Sequence, residues 1–469
     1  MTNHRAVVVI GAGISGLVCA FRLKMLGVDV ALIEKSDRVG GVIQSERIDG
    51  FLIERGPNSS QGTEELLALV EELGITSELA EGDPKAPAYV YFRDRLHQVP
   101  SGAGAFIKSD LLSLGGKLRV FKEPFVPARR EDSEESVSSF SRRRIGREAA
   151  ERLVAPFVSG IYAGDADRLS VQAAFPRLAN LETTYGGLFR GMLAKAGEAR
   201  RNKKATSGVT QTAAPRRRRL CSFRSGMGFL PKTLASKIGE DVLTGCRNLR
   251  LEHTSDSHFE IAFEREGNQH RLSCERVVIA IPSNAASALI KPRAAELSGL
   301  LSEIEYAPLA IVSLAYDESA IAIPLHGFGF LVPPGEGMNI LGCVWNSSLF
   351  KDRAPNGKAL LTIFIGGARN PEAAQSADAE LVSAAAGDLQ RALGASKEPQ
   401  IVAITRYERS IPQYNLGHAR RVQTIESLQS GLPGLSLIGN YLHGVSTGDC
   451  IKEADRVARH VAQSLGVRI

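Results

Sequence analysis

The first 45 residues leave this chain few folds to choose from. Val7-Val8-Val9-Ile10 is a short run of β-branched residues, the pattern of a strand buried on both faces. Gly11-Ala12-Gly13-Ile14-Ser15-Gly16 follows at once, and Leu17, Ala20, Phe21 and Leu23 then recur at helical spacing. Gly27 suits the left-handed position after a helix end, Val28–Ile33 reads as a second strand, and Glu34 closes it. A strand, a glycine turn, a helix and a strand ending in an acid make a βαβ unit, so the chain opens as a parallel sheet.

Each glycine of that turn has its own duty. Gly11 permits the tight turn, Gly13 lets the backbone approach a pyrophosphate, and Gly16 lets helix and strand pack closely. The helix start at Ile14-Ser15 offers free N–H groups and a partial positive charge to phosphate. Glu34, with Lys35 beside it, follows at the spacing of a ribose acceptor. Arg38-Val39-Gly40-Gly41 is a second glycine turn, suited to the longer pyrophosphate and ribityl chain of FAD and unnecessary for a plain nicotinamide site.

With 469 residues the chain is long enough for two or three domains, and 43% hydrophobic with 23% charged residues is the balance of a soluble globular protein. A net charge of +6 suits anionic substrates or lipid surfaces and, with no recognition motif, gives no argument for nucleic acid. Cys19, Cys221, Cys246, Cys274, Cys343 and Cys450 lack metal-site spacing and read as small buried groups in a reducing compartment, so no metal is implied. No uninterrupted stretch is apolar enough to span a bilayer. The expected location is the cytoplasm. A peripheral contact on the inner face of the membrane and a homodimer are both compatible with the composition.

Residues 101–220 differ from the flanks in helical periodicity and charge. Arg129-Arg130-Glu131-Asp132 and Arg142-Arg143-Arg144 read as solvated helix faces, and 197–219 as a basic surface loop. The α/β pattern then resumes. Strands are expected at 277–281, 311–316, 329–332, 340–344, 360–365 and 435–438, and a last helix from about Cys450 to Leu465.

Several further stretches carry a resemblance. They are Gly56-Pro57-Asn58-Ser59, Ser159-Gly160-Ile161-Tyr162-Ala163-Gly164-Asp165, Gly327-Phe328-Gly329-Phe330, Ile411-Pro412-Gln413-Tyr414 and Gly439-Asn440-Tyr441. With the two glycine turns, in this order, the chain resembles the oxygen-dependent protoporphyrinogen oxidase family, including its coproporphyrinogen-oxidising bacterial branch. The resemblance implies an α/β (α+β) fold in three parts. These are a Rossmann-like FAD-binding domain (1–85, 222–285 and 405–469), a mixed-sheet substrate domain (86–100 and 286–404), and an inserted helical domain (101–221) that rests on the membrane.

It also implies roles. Gly56 to Ser59, Gly439, Asn440 and the Val445-Ser446-Thr447 loop would contact FAD, and the backbone at Asn248 would hold the adenosine end. Phe328 and Gly329 would lie over the flavin and frame the macrocycle, with Gly160, Ile161 and Tyr162 along the pocket. Relatives from animals and plants commonly carry an Arg for a substrate propionate where this chain has Ala88, which leaves open how many propionates are accepted.

The implied reaction is oxidation of protoporphyrinogen IX to protoporphyrin IX, or of coproporphyrinogen III to coproporphyrin III. Gly226-Met227-Gly228 lacks the third glycine of a nucleotide turn, so molecular oxygen is the simplest electron acceptor. A flavin amine oxidase and a non-catalytic porphyrin carrier are the alternatives. His418 and His443 sit beside glycines in loops and read as packing or surface groups.

Overall fold

The structure is a computed structural model that describes residues 3–129, 134–205, 219–255 and 258–468. In chain order, the elements that bear on function begin with β1 (Asn3–Ile10), α1 (Ile14–Met25), β2 (Val30–Ile33), β3 (Ala88–Phe92) and β4 (Arg95–Gln98). Five helices follow: α2 (Leu114–Phe121), α3 (Val137–Ile145), α4 (Ala155–Tyr162), α5 (Pro176–Tyr185) and α6 (Leu188–Ala205). Then come β5 (Val242–Leu243), β6 (Arg247–Ser255), β7 (His258–Arg265), β8 (Asn268–Ile279), β9 (Tyr306–Asp317), β10 (Gly329–Leu331), β11 (Ile340–Trp345) and β12 (Lys358–Gly366). The chain closes with α7 (Asp378–Leu393), β13 (Gln400–Pro412), β14 (Leu435–Leu437) and α8 (Thr447–Ser464).

Contacts divide the chain into two compact units. The first joins Met1–Gly82, Leu220–Glu305 and Arg420–Ile469. Its seven-stranded sheet runs β5-β2-β1-β8-β7-β6, with β14 also on β8. The strands β5, β2, β1, β8 and β14 are all parallel. Numbered along the chain this is the 3-2-1-4-5 order of doubly wound nucleotide-binding sheets, with the antiparallel β6-β7 pair inserted before the fourth strand. Val7, Val8 and Val9 are wholly buried, as a strand covered on both faces requires. Helix α8 buries Cys450, Ile451, Ala454, Val457, Ala458 and Val461, and packs along α1.

The second unit joins Asp83–Arg219 and Tyr306–Ala419. Its sheet runs β13-β9-β12-β11-β10-β3-β4, antiparallel except for β10 on β3. Alternate residues of β9 serve different cores, because side chains alternate across a sheet. Ala310, Val312 and Leu314 join Leu381, Ala385, Leu389 and Leu393 from one face of α7, whereas Leu309 and Ile311 join Ala163 and, from its margin, Phe364, Tyr407 and Ile411.

The contacts draw the domain boundaries differently from the sequence expectation. The helical span is not a third body; α4 packs on β10 and β11 of the second sheet. Residues 405–412 belong with that sheet because β13 pairs with β9. Residues 286–305 join the first unit through two helices, Ser283–Ile290 and Ala295–Ser302, that pack on each other and reach β6.

Three local expectations are also corrected. Arg142 is exposed, but Arg144 is 0% exposed. It pairs with buried Glu123 and lies 3.3 Å from Glu182, while Arg143 bridges Glu182 and Glu135 at 2.7 Å each. Hydrophobic periodicity does not register a polar face that is buried by neutralisation. The expected loop 197–219 is helical as far as Ala205, and residues 206–218 lie outside the described residues, as do 130–132 of the Arg129–Asp132 run. The last helix starts at Thr447 rather than near Cys450.

Candidate functional site

The first unit gathers the nucleotide motifs at the ends of β1, β2, β8 and β14. Gly11 has φ +104°, which a side chain would strain, and a Cβ there would lie 2.6 Å from Ile281 Cγ2 and 2.8 Å from the Ala280 carbonyl oxygen. A Cβ on Gly16 would collide with the Gly11 carbonyl. Gly13 is the opposite case: a Cβ there meets nothing within 4 Å. No side chain caps α1 at Gly13 and its first turn holds no acid, so its N-terminus is open to an anion.

Neighbouring segments close around that turn. Gly40 donates its N–H to the Ala12 carbonyl at 2.8 Å, and a Cβ on Gly41 would stand 3.4 Å from Gly13 Cα. Exposed Arg38 donates to the Gly41 carbonyl at 2.9 Å, and Lys35 is exposed beside it. Glu34 is half-buried and accepts from the Ala12 amide at 2.8 Å and the Ser36 amide at 2.9 Å. A carboxylate has about four lone-pair positions, so capacity for a ribose hydroxyl remains.

The segment expected at the adenosine end also lies here. The Gly245 amide donates to the Ser36 carbonyl and the Cys246 amide to the Glu34 backbone carbonyl, which lays 245–246 along the 34–36 segment. Asn248 follows with φ +53° in an irregular stretch of β6, its side chain donating to Glu264 at 2.9 Å. That left-handed turn of backbone explains why an Asn stands there.

Gly56 lies so close to the Val42 carbonyl that a Cβ would collide with it. Pro57 and Ser59 are half-buried, and Asn58 buries its Oδ1 with no partner among the described residues. An orphaned acceptor of this kind awaits a donor. Gly439, at φ +157°, is crowded by the Tyr441 ring, and Asn440 beside it is half-buried. Val445 ends the following loop and Ser446 is the N-cap of α8, accepting from the Asp449 amide at 3.1 Å while Thr447 opens the helix. Because Ser446 and Asp449 form a capping box, the α8 terminus is satisfied internally whereas that of α1 is not. Cys450, one turn on, shares a hydrogen bond with Ser15, and burial pushes its thiol up to about 11, so it packs rather than reacts.

Sequence reasoning missed one knot. Glu54 is buried, takes the Ser45 hydroxyl and accepts the Met227 amide at 2.9 Å, while Ser45 Oγ accepts the Gly228 amide at 2.8 Å. It ties the strand after Gly41 to the 224–228 turn. The only signal was a pair of glycines, Gly226 and Gly228, at positions where a Cβ would press on Ser45.

The second unit holds the remaining predicted residues. Phe328 is half-buried and its backbone is pinned between Pro87 and Trp345. Gly329 has φ +127°, and a Cβ would collide with the Cys343 carbonyl, so β-sheet closeness already requires glycine there. Ala88 stands in register with Gly329. Gly160 is exposed and abuts Leu331, and Ile161 is 38% exposed. Tyr162 points elsewhere: it is buried among Phe175 and Tyr414, with its hydroxyl donating to the Ala174 carbonyl at 3.0 Å. That makes it a packing residue and not a pocket wall. His418 is buried and stacks on Tyr414 at 4.0 Å, and His443, in the first unit, is exposed beside Glu426. All six cysteines are free and buried.

The geometry of the first unit therefore fits FAD: an open cradle at Gly13, an uncapped α1, an acid at the ribose position and an orphaned Asn58 oxygen. Comparison with known proteins agrees. The family described as flavin containing amine oxidoreductase matches residues 14–462. The chain is 34% identical to the chloroplastic protoporphyrinogen oxidase of Nicotiana tabacum, over 97% of this chain and 85% of that one. It is 30% identical to the coproporphyrinogen III oxidase of Bacillus subtilis (strain 168), over 96% of each. The solved structure of a putative protoporphyrinogen oxidase from Exiguobacterium sp. 255-15 superposes with a TM-score of 0.81 at 25% identity, covering 99% of both chains. A putrescine oxidase structure, at 16% identity and a TM-score of 0.71, shares the fold. The chain belongs to the flavin-containing amine oxidoreductase family, in the branch formed by the protoporphyrinogen and coproporphyrinogen III oxidases.

Proposed function

We propose that this chain oxidises protoporphyrinogen IX to protoporphyrin IX, with FAD as cofactor and molecular oxygen as the final acceptor. The observation that carries the reading is similarity to named porphyrinogen oxidases along nearly the whole chain, with the nucleotide cradle intact. When bound, FAD supplies the two-electron acceptor for hydrogen leaving the meso-methylene bridges. In this reading the Rossmann-like sheet supplies the binding contacts. Gly11, Gly13, Ser15 and Gly16 face the pyrophosphate, Glu34 and Asn248 the adenosine, and Gly40, Gly41, Asn58, Gly439, Asn440 and Thr447 the remainder. Phe328, Gly329, Gly160 and Ile161 frame the macrocycle. The ring gains conjugation as it is oxidised, so the protein needs to orient it and exclude water more than to supply a strong base.

Anaerobic mixing of the purified protein with each reduced porphyrin tests this directly. The flavin band should bleach with protoporphyrinogen IX, and admitting air should restore it. Bleaching by coproporphyrinogen III alone would move the assignment to that substrate. A band that stays oxidised with both would overturn the reading, and peroxide formed from amines would favour the amine oxidase alternative.

The same proposal includes cytoplasmic location with peripheral contact to the inner face of the membrane. Among the described residues no helix is long and apolar enough to cross a membrane. Yet α2 exposes Leu114, Leu118 and Phe121 at helical spacing, Phe125 beyond it is 82% exposed, and Lys108, Lys117 and Lys122 border them. An apolar patch with a basic rim suits an anionic lipid surface. Replacing Leu118 and Phe125 together with Glu should lower sedimentation with phosphatidylglycerol-containing vesicles at least about tenfold, since each side chain contributes roughly 1.5–3 kcal/mol when buried. Equal sedimentation of both proteins would remove the membrane contact from the proposal.

A further inference from the structure

We infer that Gln413 is a positioning residue for the substrate: its buried amide holds the end of α4, and through it the Gly160–Ile161 edge, against β10. The inference rests on the porphyrinogen reading above. It concerns a residue that touches neither the nucleotide motifs nor, in that reading, the macrocycle.

A helix ends in carbonyls that its own amides cannot reach. At the end of α4 they are met from outside. Gln413 Nε2 donates to the Tyr162 carbonyl at 2.8 Å and to the Ile411 carbonyl at 3.0 Å. Ala368 donates its amide to the Ala163 carbonyl at 2.7 Å. Ala163 itself is left-handed, at φ 45° and ψ 33°, a conformation that alanine keeps only where its surroundings impose it. Those surroundings leave no slack. A Cβ on Gly367 would lie 2.6 Å from the Ala163 carbonyl oxygen, and one on Gly164 would lie 2.8 Å from Gln413 Oε1.

Gln413 is 3% exposed and its Oε1 has no partner among the described residues. The reverse amide orientation would press that oxygen against two carbonyl oxygens, so the side chain has one usable orientation. A Gln that leaves its own acceptor unmet in order to donate twice is placed for those two donations. It directly follows Pro412, the last residue of β13, which anchors it to the sheet through pairing with β9.

Across α4, the same two turns of helix present Gly160 to the sheet. A Cβ on Gly160 would lie 2.8 Å from Leu331 Cδ2, and one on Gly342 would lie 3.0 Å from that same atom. Leu331 is two residues beyond Gly329 on β10. A short helix pinned at its end by Gln413 therefore delivers Gly160 to a close contact with the Leu331 side chain of β10. Release of the pin should shift the Gly160–Ile161 edge while leaving the first unit untouched.

The test titrates protoporphyrin IX and coproporphyrin III into the FAD-loaded protein and measures KM and kcat in parallel. Gln413→Met keeps the length of the side chain and removes both donors. It should weaken porphyrin binding and raise KM at least about tenfold, because the buried Tyr162 carbonyl and the half-buried Ile411 carbonyl each lose a donor. The FAD dissociation constant should not change, and kcat should stay within about threefold, the split expected of lost binding rather than lost chemistry. Gln413→Glu should show the same defect at pH about 8, with KM recovering toward wild type near pH 6, because a protonated buried carboxyl regains one donor for the Tyr162 carbonyl. Leu389→Ala, in the α7 core of the same unit, should lower thermal stability without raising KM.

Porphyrin affinity within about twofold of wild type in Gln413→Met would overturn the inference, since unmet carbonyls should cost more than that. So would an equal KM rise in Leu389→Ala, or a Gln413→Glu defect indifferent to pH. If Gln413→Met does not fold, the pH response of Gln413→Glu decides; if neither folds, Gln413 serves the fold and the positioning role is rejected. A wild-type protein that binds neither porphyrin and is reduced by neither porphyrinogen would reject the porphyrinogen reading itself, which an active wild type with normal Gln413 variants would not.

Discussion

Gly13→Val should yield a folded protein that purifies without colour. The substitution costs the fold little, because Gly13 has φ −69° and ψ 176°, an extended conformation that valine favours, and its Cβ position is empty to 4 Å. The same emptiness is the approach path to the uncapped start of α1. Two methyl groups placed there would keep phosphate oxygens from the helix amides. Loss of those charge-assisted hydrogen bonds should weaken FAD binding at least about a hundredfold, or roughly 2.7 kcal/mol. The measurements are flavin absorbance after purification, FAD titration by calorimetry, and thermal unfolding of the FAD-free protein beside FAD-free wild type. Near-identical unfolding with no flavin is the expected pair of results. Full flavin occupancy would show that the cofactor does not pass over Gly13. Gly16→Ala cannot ask this question, since its methyl group collides with the Gly11 carbonyl and disturbs the turn itself.

Arg144→Leu should destabilise the second unit by about 3–5 kcal/mol, the usual result of removing one partner from a buried ion pair. Glu123 is 0% exposed and, among the described residues, would keep the Leu188 and Phe189 amides, at 2.7 and 3.1 Å. The Val126 carbonyl, which accepts from Arg144 at 2.9 Å, would lose that donor too. Burial alone would raise the Glu182 carboxyl, but Arg143 outweighs it and holds the group below the usual carboxylate range, so this second acid stays ionised in the same cluster. Urea unfolding followed by tryptophan fluorescence measures the effect cleanly, because the chain has one tryptophan, Trp345, and it is buried in this unit. Leucine at both 144 and 123 should recover part of the loss, since an apolar pair leaves no stranded charge. An unfolding midpoint unchanged from wild type would mean that water reaches the cluster and screens it.

The glycine turn at the start of α1 was legible in the sequence because its requirements are local. A tight turn, a close backbone approach and an acid at a strand end each restrict a single position, as at Gly11, Gly16 and Glu34. The strands of the second sheet were legible as apolar runs, and β9 is buried along nearly its whole length. What pairing distributes over distance was not legible. Nothing local announces that β13 joins β9, or that the 224–228 turn reaches Ser45, so the domain limits and the Glu54 knot emerge only from the fold. Gly329 illustrates a subtler gap. Its motif suggested a place at the macrocycle, yet collision with β11 alone suffices to keep it glycine. Tyr162, named with the pocket, instead packs against Tyr414, so a family motif can mark a structural clasp as readily as a binding surface. Arg144 was misread because charge runs are usually solvated, and only three-dimensional neighbours reveal a neutralised interior.

Strand β8 borders β1 along one edge, while its other edge carries β7 first and then β14. The opening βαβ unit is thus completed by a strand some 260 residues downstream and by a final helix laid along α1. During synthesis the glycine turn leaves the ribosome long before the walls that give it shape, so flavin capture has to wait until β8, β14 and α8 have emerged.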